Sequence, residues 1–349
     1  IPLEGQRLGL ESYGSDLNPI AVMVSKATVE LPYKTFESKP INHEARGKTD
    51  FTGHWKGATG LANDVRYYGK LMFDEAKIRI GKYYPLGPNK EKVVAWIWTR
   101  VVKCTNPSCG SKVPLARSFI LNKKKGQVVS IKPEINKNDI NFKIDRSGKS
   151  ISGTMTRDGA ICICCSSPVP IKYIRSEGCA NRIDYKMMAI ITEGQKGMNY
   201  YSPEENHILA SASVKPQWKP DYKMVGKTTV SLPLYGMNLF SDIYTNRQLL
   251  ALDTFSTLVM EMRNKVLDDG GSLEYADIVA TYLAFAVDRS ANYWSTLTPW
   301  GGGFIVQTFG RQALPMIWDF AEANPFSNST GNWNGAIDWI ARVLDNFSP

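Results

Sequence analysis

Two pairs of cysteines constrain the fold of this chain more than any other feature of its sequence. Four residues separate Cys104 from Cys109, and two residues separate Cys162 from Cys165 about fifty positions later. Each pair fits on a tight turn whose amides point at sulfur, and four thiolates complete a tetrahedral zinc site. We therefore expect these four cysteines to bind one structural zinc ion, with no coordination position left open for chemistry.

A fifth cysteine, Cys164, lies inside the second pair. We expect it to face away from the metal, because a gap of two residues between ligands, as between Cys162 and Cys165, is the usual spacing. The alternative is a set of free buried thiols. Six cysteines in 349 residues are too few for a disulfide scaffold. Clustered thiols are typical of a reducing compartment, so the sequence predicts a cytoplasmic protein.

Positive charge is concentrated in the segment that contains these cysteines. Residues 100–190 hold 17 Lys and Arg against 6 Asp and Glu, a net charge of +11, while the whole chain has +9. Such a block favours a polyanionic partner, which we expect to be DNA. The candidate phosphate contacts are Lys103, Lys112, Arg117, Lys123, Lys124 and Lys125. The alternative is an ordinary solvated surface, with the triple lysine at a hairpin tip.

The amino-terminal pattern predicts an α/β fold. Residues 1–9 have the features of a short helix ended by Gly9, residues 10–15 those of a short strand, and residues 20–30 those of the next helix. This order, with Asp16 in the loop after the strand, is that of the second half of a doubly wound nucleotide-binding unit. The alternative is that the Asp only forms a turn.

Further along the chain the hydrophobic pattern changes twice. Residues 60–80 have helical spacing, and residues 93–102 form a continuous apolar run typical of a buried strand. Short strands and turns follow to about residue 192, and helices are predicted at 246–267, 275–297 and 336–347. No window approaches the ~18 consecutive apolar residues of a membrane-spanning helix, so we expect no membrane partner.

Several stretches of the chain resemble one known family. They are IPLEGQRLGLESYGSDLNPIAVMVSKA, GLANDVRYYGKLMFDEAKIRIGKYYP, KCTNPSCGSKVPLARSFILNKKKG, GAICICCSSPVP, LPLYGMNLFSDIYTNRQLLALDTFSTLV and TFGRQALPMIWDFAEANPFSNSTGNW. They resemble a bacterial and archaeal family of adenine-specific DNA methylases that contain a zinc ribbon and an amino-terminal domain of unknown function. The resemblance extends along essentially the whole chain.

The resemblance implies a partial Rossmann-like methyltransferase unit that binds S-adenosylmethionine. Asp16 would contact the ribose of the cofactor, and Asn18 and Pro19 would shape its adenine side. The implied segments are a partial α/β methyltransferase unit with a helical extension at 1–99, a basic, strand-rich zinc-ribbon insertion at 100–192, a connecting segment at 193–240 and a helical region at 241–349. Polar and aromatic residues at 311–326 would line the active-site side, the alternative being an ion-paired helix end.

Two motifs of that family are absent from this sequence. One is an Asp-Pro-Phe-x-Gly-x-Gly loop, and the other is an Asp-Pro-Pro-Tyr segment that would hold the target amine. The stretch 31–33, Leu-Pro-Tyr, does not replace the second, because it lacks the Asp or Asn whose carbonyl accepts from the amine. We therefore expect an interior fragment of a DNA methyltransferase, inactive alone, whose partners include the missing parts of its parent. The second hypothesis is a non-catalytic nucleic-acid-binding module on a degenerate methyltransferase scaffold.

Overall fold

A computed structural model of the chain describes residues 2–45, 55–124, 128–137, 139–311 and 313–347. Its helices are α1 (Pro2–Arg7), α2 (Pro19–Val29), α3 (Leu31–Lys34), α4 (Thr59–Ile80), α5 (Ile171–Cys179), α6 (Glu205–Ala212), α7 (Asn246–Asp268), α8 (Leu273–Ala291) and α9 (Trp333–Asp345). Its strands are β1 (Val93–Lys103), β2 (Lys112–Leu115), β3 (Ile120–Asn122), β4 (Val129–Asn136), β5 (Asp139–Asp145), β6 (Gly159–Ile161), β7 (Pro168–Pro170), β8 (Asp184–Gly194), β9 (Gly197–Tyr201) and β10 (Asp319–Ala323). Throughout the described ranges, every helix is too short or too polar to span a bilayer.

The chain forms a mixed helix-and-sheet structure, as predicted, and divides into two compact units. Unit 1 contains the described parts of residues 1–79, 254–290 and 333–349, and unit 2 contains those of residues 80–253 and 291–332. The boundaries predicted after residues 99, 192 and 240 are not the boundaries of these units. Each unit joins distant parts of the chain, an arrangement that hydrophobic pattern along the sequence does not reveal.

Unit 1 is helical, and its core is shared by α4, α7 and α9. Trp333 begins α9 and is fully buried. Its ring stacks on Phe255 of α7 with a centroid distance of 4.3 Å, and its indole N–H donates to the carbonyl oxygen of Gly69 in α4 at 2.8 Å. The side chains on the inner face of α4 follow helical spacing and are all fully buried: Leu61, Val65, Tyr68, Met72 and Ala76.

The predicted strand at residues 10–15 is wrong. The predicted helices on either side of it are present as α1 and α2, and Gly9 has the left-handed φ of 72° expected of a residue that ends a helix. Residues 10–15 are irregular, and no strand of the described residues pairs with them. A strand needs a neighbour for its backbone hydrogen bonds, and the order of helices along the chain does not supply one.

Unit 2 is built around β1. Its main sheet has the strand order β10-β1-β8-β9, and β2 pairs with the carboxyl end of β1 beyond β10. Two smaller sheets are formed by β3-β4-β5 and by β6-β7, and every strand pair in the described residues is antiparallel. Residues 93–102 of β1 are all buried, so the predicted buried strand is confirmed.

The stretch 311–326 contains a strand and not a helix end. Within it, β10 pairs with Ala95–Thr99 of β1 and places the carboxylate of Glu322 in the core, where only 1% of that residue is exposed. Glu322 accepts from Arg247 Nη2 at 2.5 Å, from the indole N–H of Trp98 at 2.8 Å and from the hydroxyl of Thr245 at 2.8 Å. The predicted helix at 275–297 also ends earlier than expected, at Ala291.

Candidate metal centre

The four predicted ligands meet at one point of unit 2. Their sulfurs all lie within 4.8 Å of one another. Cys104 Sγ lies 3.6 Å from Cys165 Sγ, and Cys109 Sγ lies 3.9 Å from Cys162 Sγ. Zinc–sulfur bonds of about 2.3 Å in a tetrahedron give sulfur–sulfur edges of about 3.8 Å. The predicted clustering is confirmed, and the cluster has the dimensions to hold a metal ion such as zinc.

Both cysteine pairs lie in turns that are closed in the same way. The first turn joins β1 to β2, and the N–H of Cys104 donates to the carbonyl oxygen of Ser111 at 2.8 Å. The second turn joins β6 to β7, and the N–H of Cys162 donates to the carbonyl oxygen of Ser167 at 2.9 Å. Each pair is therefore held at the mouth of a short hairpin, although the two turns differ in length.

A left-handed residue follows the second cysteine of each pair. Gly110 has a φ of 59° and Ser166 a φ of 58°. Glycine adopts this conformation without strain, whereas serine at this position is held there by the rest of the turn. The reversal directs the next N–H back toward sulfur, so that the amides of Ser111 and Ser167 hydrogen-bond to the thiols of Cys109 and Cys165.

These hydrogen bonds and the surrounding burial divide the four thiols into two kinds. The hydroxyl and N–H of Ser111 lower the pKa of Cys109. Those of Ser167 lower the pKa of Cys165 to about 6. Burial raises the pKa of Cys162, and it raises that of Cys104 to about 12. The thiols of Cys109 and Cys165 thus lose a proton more readily than an ordinary thiol, and a metal cation would provide the positive charge that the two buried thiols need in order to ionise.

The cluster lies against the apolar core of unit 2. Cys104 and Cys162 are buried, while Cys109 and Cys165 are partly exposed. The buried side chains of the same core cluster come from β2, β7, α5 and the segment before β10, and include Val113, Leu115, Val169, Ile174 and Trp318. A metal ion here would fasten the two hairpins to one core and would have no open coordination position for substrate.

Cys164 stays outside the cluster. Its side chain is exposed, and it is not among the cysteines whose sulfurs come together. This agrees with the expectation that it faces away from the metal, and it provides an adjacent cysteine against which substitutions of the ligands can be compared.

Two of the candidate phosphate contacts lie beside the first cysteine turn. Lys103 and Lys112 are directly paired across β1 and β2, and both are exposed. Lys112 forms a salt bridge of 3.4 Å with Asp184, whereas Lys103 has no carboxylate partner among the described residues. An exposed pair of this kind contributes little stability, so Lys112 remains accessible to another anion.

The other candidate cations lie further along the basic segment. Arg117 is exposed between β2 and β3, and its backbone N–H donates to Asp319 at 2.8 Å. Lys123 and Lys124 are exposed just after β3. Lys125 lies outside the described residues. The described candidates therefore lie at several points of the basic segment, on β1, on β2 and in the loops that follow β2 and β3.

The candidate cofactor residues form the start of α2. Asp16 accepts the N–H of Asn18 at 2.8 Å, and Asn18 accepts the N–H of Ile20 at 3.0 Å as the N-cap of the helix. Pro19 occupies the first helical position, where its missing N–H costs nothing. Asp16 is exposed, and one of its oxygens accepts this turn-forming bond.

Sequence reasoning missed Ser111 and Ser167 as part of the centre. Each stands two residues after the second cysteine of its pair and supplies both a hydroxyl and an amide to sulfur. The repeated pattern Cys-x-Ser at 109–111 and 165–167 is visible in the sequence and was the available signal.

Comparisons of the chain with protein-family models, with curated proteins and with solved structures found no match. The function is therefore inferred from the chemistry of the site and from the sequence.

Proposed function

We propose that this chain is a nucleic-acid-binding protein stabilised by one structural zinc ion, and that it forms part of an S-adenosylmethionine-dependent DNA methyltransferase. The observation that carries the proposal is the cluster of four sulfurs at tetrahedral spacing within a segment of net charge +11. Four soft thiolates in a closed tetrahedron suit zinc and leave it no catalytic position. The zinc would hold the β1–β2 and β6–β7 turns in place, and the basic segment would contact phosphate.

The charge balance of the basic segment supports the proposed binding of nucleic acid. In the described residues its salt bridges engage four of its six carboxylates, those of Glu134, Asp139, Glu177 and Asp184. Most of the cations in the described part of this segment therefore have no carboxylate partner. Exposed cations without partners interact with polyanions over several ångströms and release counterions from nucleic acid when it binds.

The methyltransferase assignment rests on the sequence resemblance. Asp16 is exposed at the start of a helix, where a carboxylate oxygen can accept from a ribose hydroxyl. The rest of the cofactor site would need the glycine-rich loop, and catalysis would need the Asp-Pro-Pro-Tyr segment; the sequence contains neither. Catalysis by this chain alone is therefore not part of the proposal.

Salt-dependent DNA binding tests the proposal. Zinc-loaded protein should bind duplexes of unrelated sequence with similar affinity, and log K should fall linearly with log salt. Replacing Lys103 and Lys112 together by alanine should lower the magnitude of that slope by about 0.9 for each lost phosphate contact. A Lys215→Ala/Lys219→Ala double variant is the matched control, because it removes the same two charges and both lysines are exposed and lie outside the basic segment.

Two results would overturn the proposal. One is the absence of DNA binding by the unaltered, metal-loaded protein at low salt. The other is a slope that neither the Lys103/Lys112 double variant nor the Lys215/Lys219 double control changes, since the paired lysines would then have no role in binding.

A further inference from the structure

A polar cleft opens in unit 2 beside the strands β5 and β9. Its volume is about 650 Å³, and its walls include Asn122, Arg146, Lys196, Met198, Asn199 and Tyr200. Cavities of roughly 300–1,000 Å³ are typical of sites that hold one small molecule or a short piece of a larger one. No Asp or Glu is among the described residues that line it.

Arg146 forms one side of the cleft and is fixed in place. Its Nη2 donates to the carbonyl oxygen of Tyr200 in β9 at 2.7 Å, its one hydrogen bond to another side chain or backbone group in the described residues. The adjacent carboxylate, Asp145, accepts instead from the N–H of Ser147 at 2.8 Å and from its hydroxyl at 2.9 Å. Because a guanidinium has five N–H donors, Arg146 keeps donors for a ligand and is not neutralised by its neighbour.

Lys196 faces the same cleft from a hairpin tip. Gly194 pairs with Gly197 at the end of β8 and β9, so Gln195 and Lys196 form a two-residue loop. Lys196 is exposed and has no salt bridge in the described part of the chain. It contributes a second cation to the lining of the cleft, in addition to Arg146.

Three further exposed lysines flank these residues. Lys123 and Lys124 directly follow the lining residue Asn122, and Lys149 follows the turn of Arg146. None of the three side chains has a salt bridge in the described residues. Hydrogen bonds from Ser147 and the nearby charge of Lys149 lower the pKa of the Asp145 carboxyl, but Asp145 does not line the cleft. Two lining cations, three flanking lysines and no lining carboxylate leave an excess of positive charge at the cleft, which suits phosphate.

We propose that this cleft binds the sugar–phosphate backbone of a single nucleic-acid strand. Arg146 and Lys196 would contact phosphates, since guanidinium forks suit phosphate oxygens and an ammonium group acts as a point charge. The amide oxygen of Asn122 already accepts from the N–H of Lys124, and Nδ2 of Asn199 already donates to Glu91. The remaining groups, Nδ2 of Asn122 and Oδ1 of Asn199, provide a donor and an acceptor for base edges, which are free in an unpaired strand. A cleft of about 650 Å³ accepts a short piece of one strand and not a duplex. The inference rests on the proposed nucleic-acid binding and assigns it a second, strand-selective surface.

Binding of a labelled single-stranded oligonucleotide, measured by fluorescence anisotropy over a salt series, tests this inference. The variants are Lys196→Ala, at an exposed hairpin tip, and Arg146→Gln, with the unfolding free energy of each variant measured in parallel. Each should lower the magnitude of the single-strand salt slope by about 0.7 per lost phosphate contact. Lys219→Ala is the control of equal charge change and should leave the slope unchanged.

The outcomes separate this inference from the proposed function. If duplex binding responds to Lys103 and Lys112 while Lys196→Ala leaves the single-strand slope unchanged, the cleft has no role and only this inference fails. An equal effect of Lys196→Ala on single-strand and duplex slopes would also overturn the strand selectivity. If the unaltered protein binds neither probe, both proposals fail.

Discussion

Substitution of Cys165 should remove the metal, and substitution of its neighbour Cys164 should not. The sulfurs of Cys104 and Cys165 lie 3.6 Å apart and those of Cys109 and Cys162 lie 3.9 Å apart, whereas the edge of a tetrahedral zinc–thiolate site is about 3.8 Å. Because no two of the four sulfurs are more than 4.8 Å apart, metal binding changes any sulfur–sulfur distance by about 1 Å at most, and little of the binding free energy is used to rearrange the turns. Cys165→Ser removes one ligand, while Cys164→Ser changes an exposed side chain outside the cluster.

The magnitude follows from linkage between binding and unfolding. With free zinc at 1,000 times the dissociation constant, the ion adds about 4 kcal/mol to the free energy of unfolding, less any binding to the unfolded thiols. Elemental analysis should give about one zinc per chain for the unaltered protein and Cys164→Ser, and none for Cys165→Ser. Urea unfolding with and without chelator should show the loss of about 4 kcal/mol only in the first two proteins. Equal metal content in both variants would refute the assignment of the ligands.

Three other predictions concern the core and the cofactor. Glu322→Gln leaves the fully buried guanidinium of Arg247 without its counter-charge, so urea unfolding should show that the free energy of unfolding falls by about 3–5 kcal/mol. An Arg247→Met/Glu322→Leu double variant removes both charges, and this explanation would be contradicted if that variant were no more stable than Glu322→Gln. Burial and the nearby Arg247 hold the pKa of His207 at about 4, below its ordinary value of 6.5, so the unfolded chain takes up the proton first as pH falls. Stability should therefore drop by about 2 kcal/mol on going from pH 8 to 5, and a His207→Gln variant with the same pH profile would refute that assignment. Calorimetry with S-adenosylmethionine should show no binding by this chain tighter than about millimolar, since its sequence lacks the glycine-rich loop; micromolar binding would show that the cofactor site is misplaced.

Local sequence patterns predicted the elements whose stability is decided locally. The apolar spacing of α4, the continuous apolar run of β1 and the caps around α2 each contain their own signal, and each element is present in the structure. The cysteine cluster was predictable for a different reason, because only a few arrangements of paired thiols satisfy a tetrahedral ion.

The elements that were missed depend on partners distant in sequence. The strand β10 has the sequence DFAEA, whose two carboxylates give it no strand-like alternation, and it is stabilised by β1 more than two hundred residues earlier. The acidic residue Glu322 is buried there because Arg247, Trp98 and Thr245 satisfy it. Residues 10–15 show the reverse case, a strand predicted from its place between two helices for which the described residues offer no pairing strand.

The core of unit 1 affects the order in which the two units fold while the chain is being synthesised. Trp333 joins α7 and α4 through its contacts with Phe255 and Gly69, and Ile337 of α9 packs so closely on Gly69 that an added Cβ there would lie 2.6 Å from its side chain. While the ribosome is still adding the last turns of α9, every strand of unit 2 has already been made. During translation unit 2 can therefore fold first and α4 can pack on α7, while the surface of α4 around Gly69 stays exposed until α9 is made. Chaperone binding to the nascent chain should accordingly concentrate on α4.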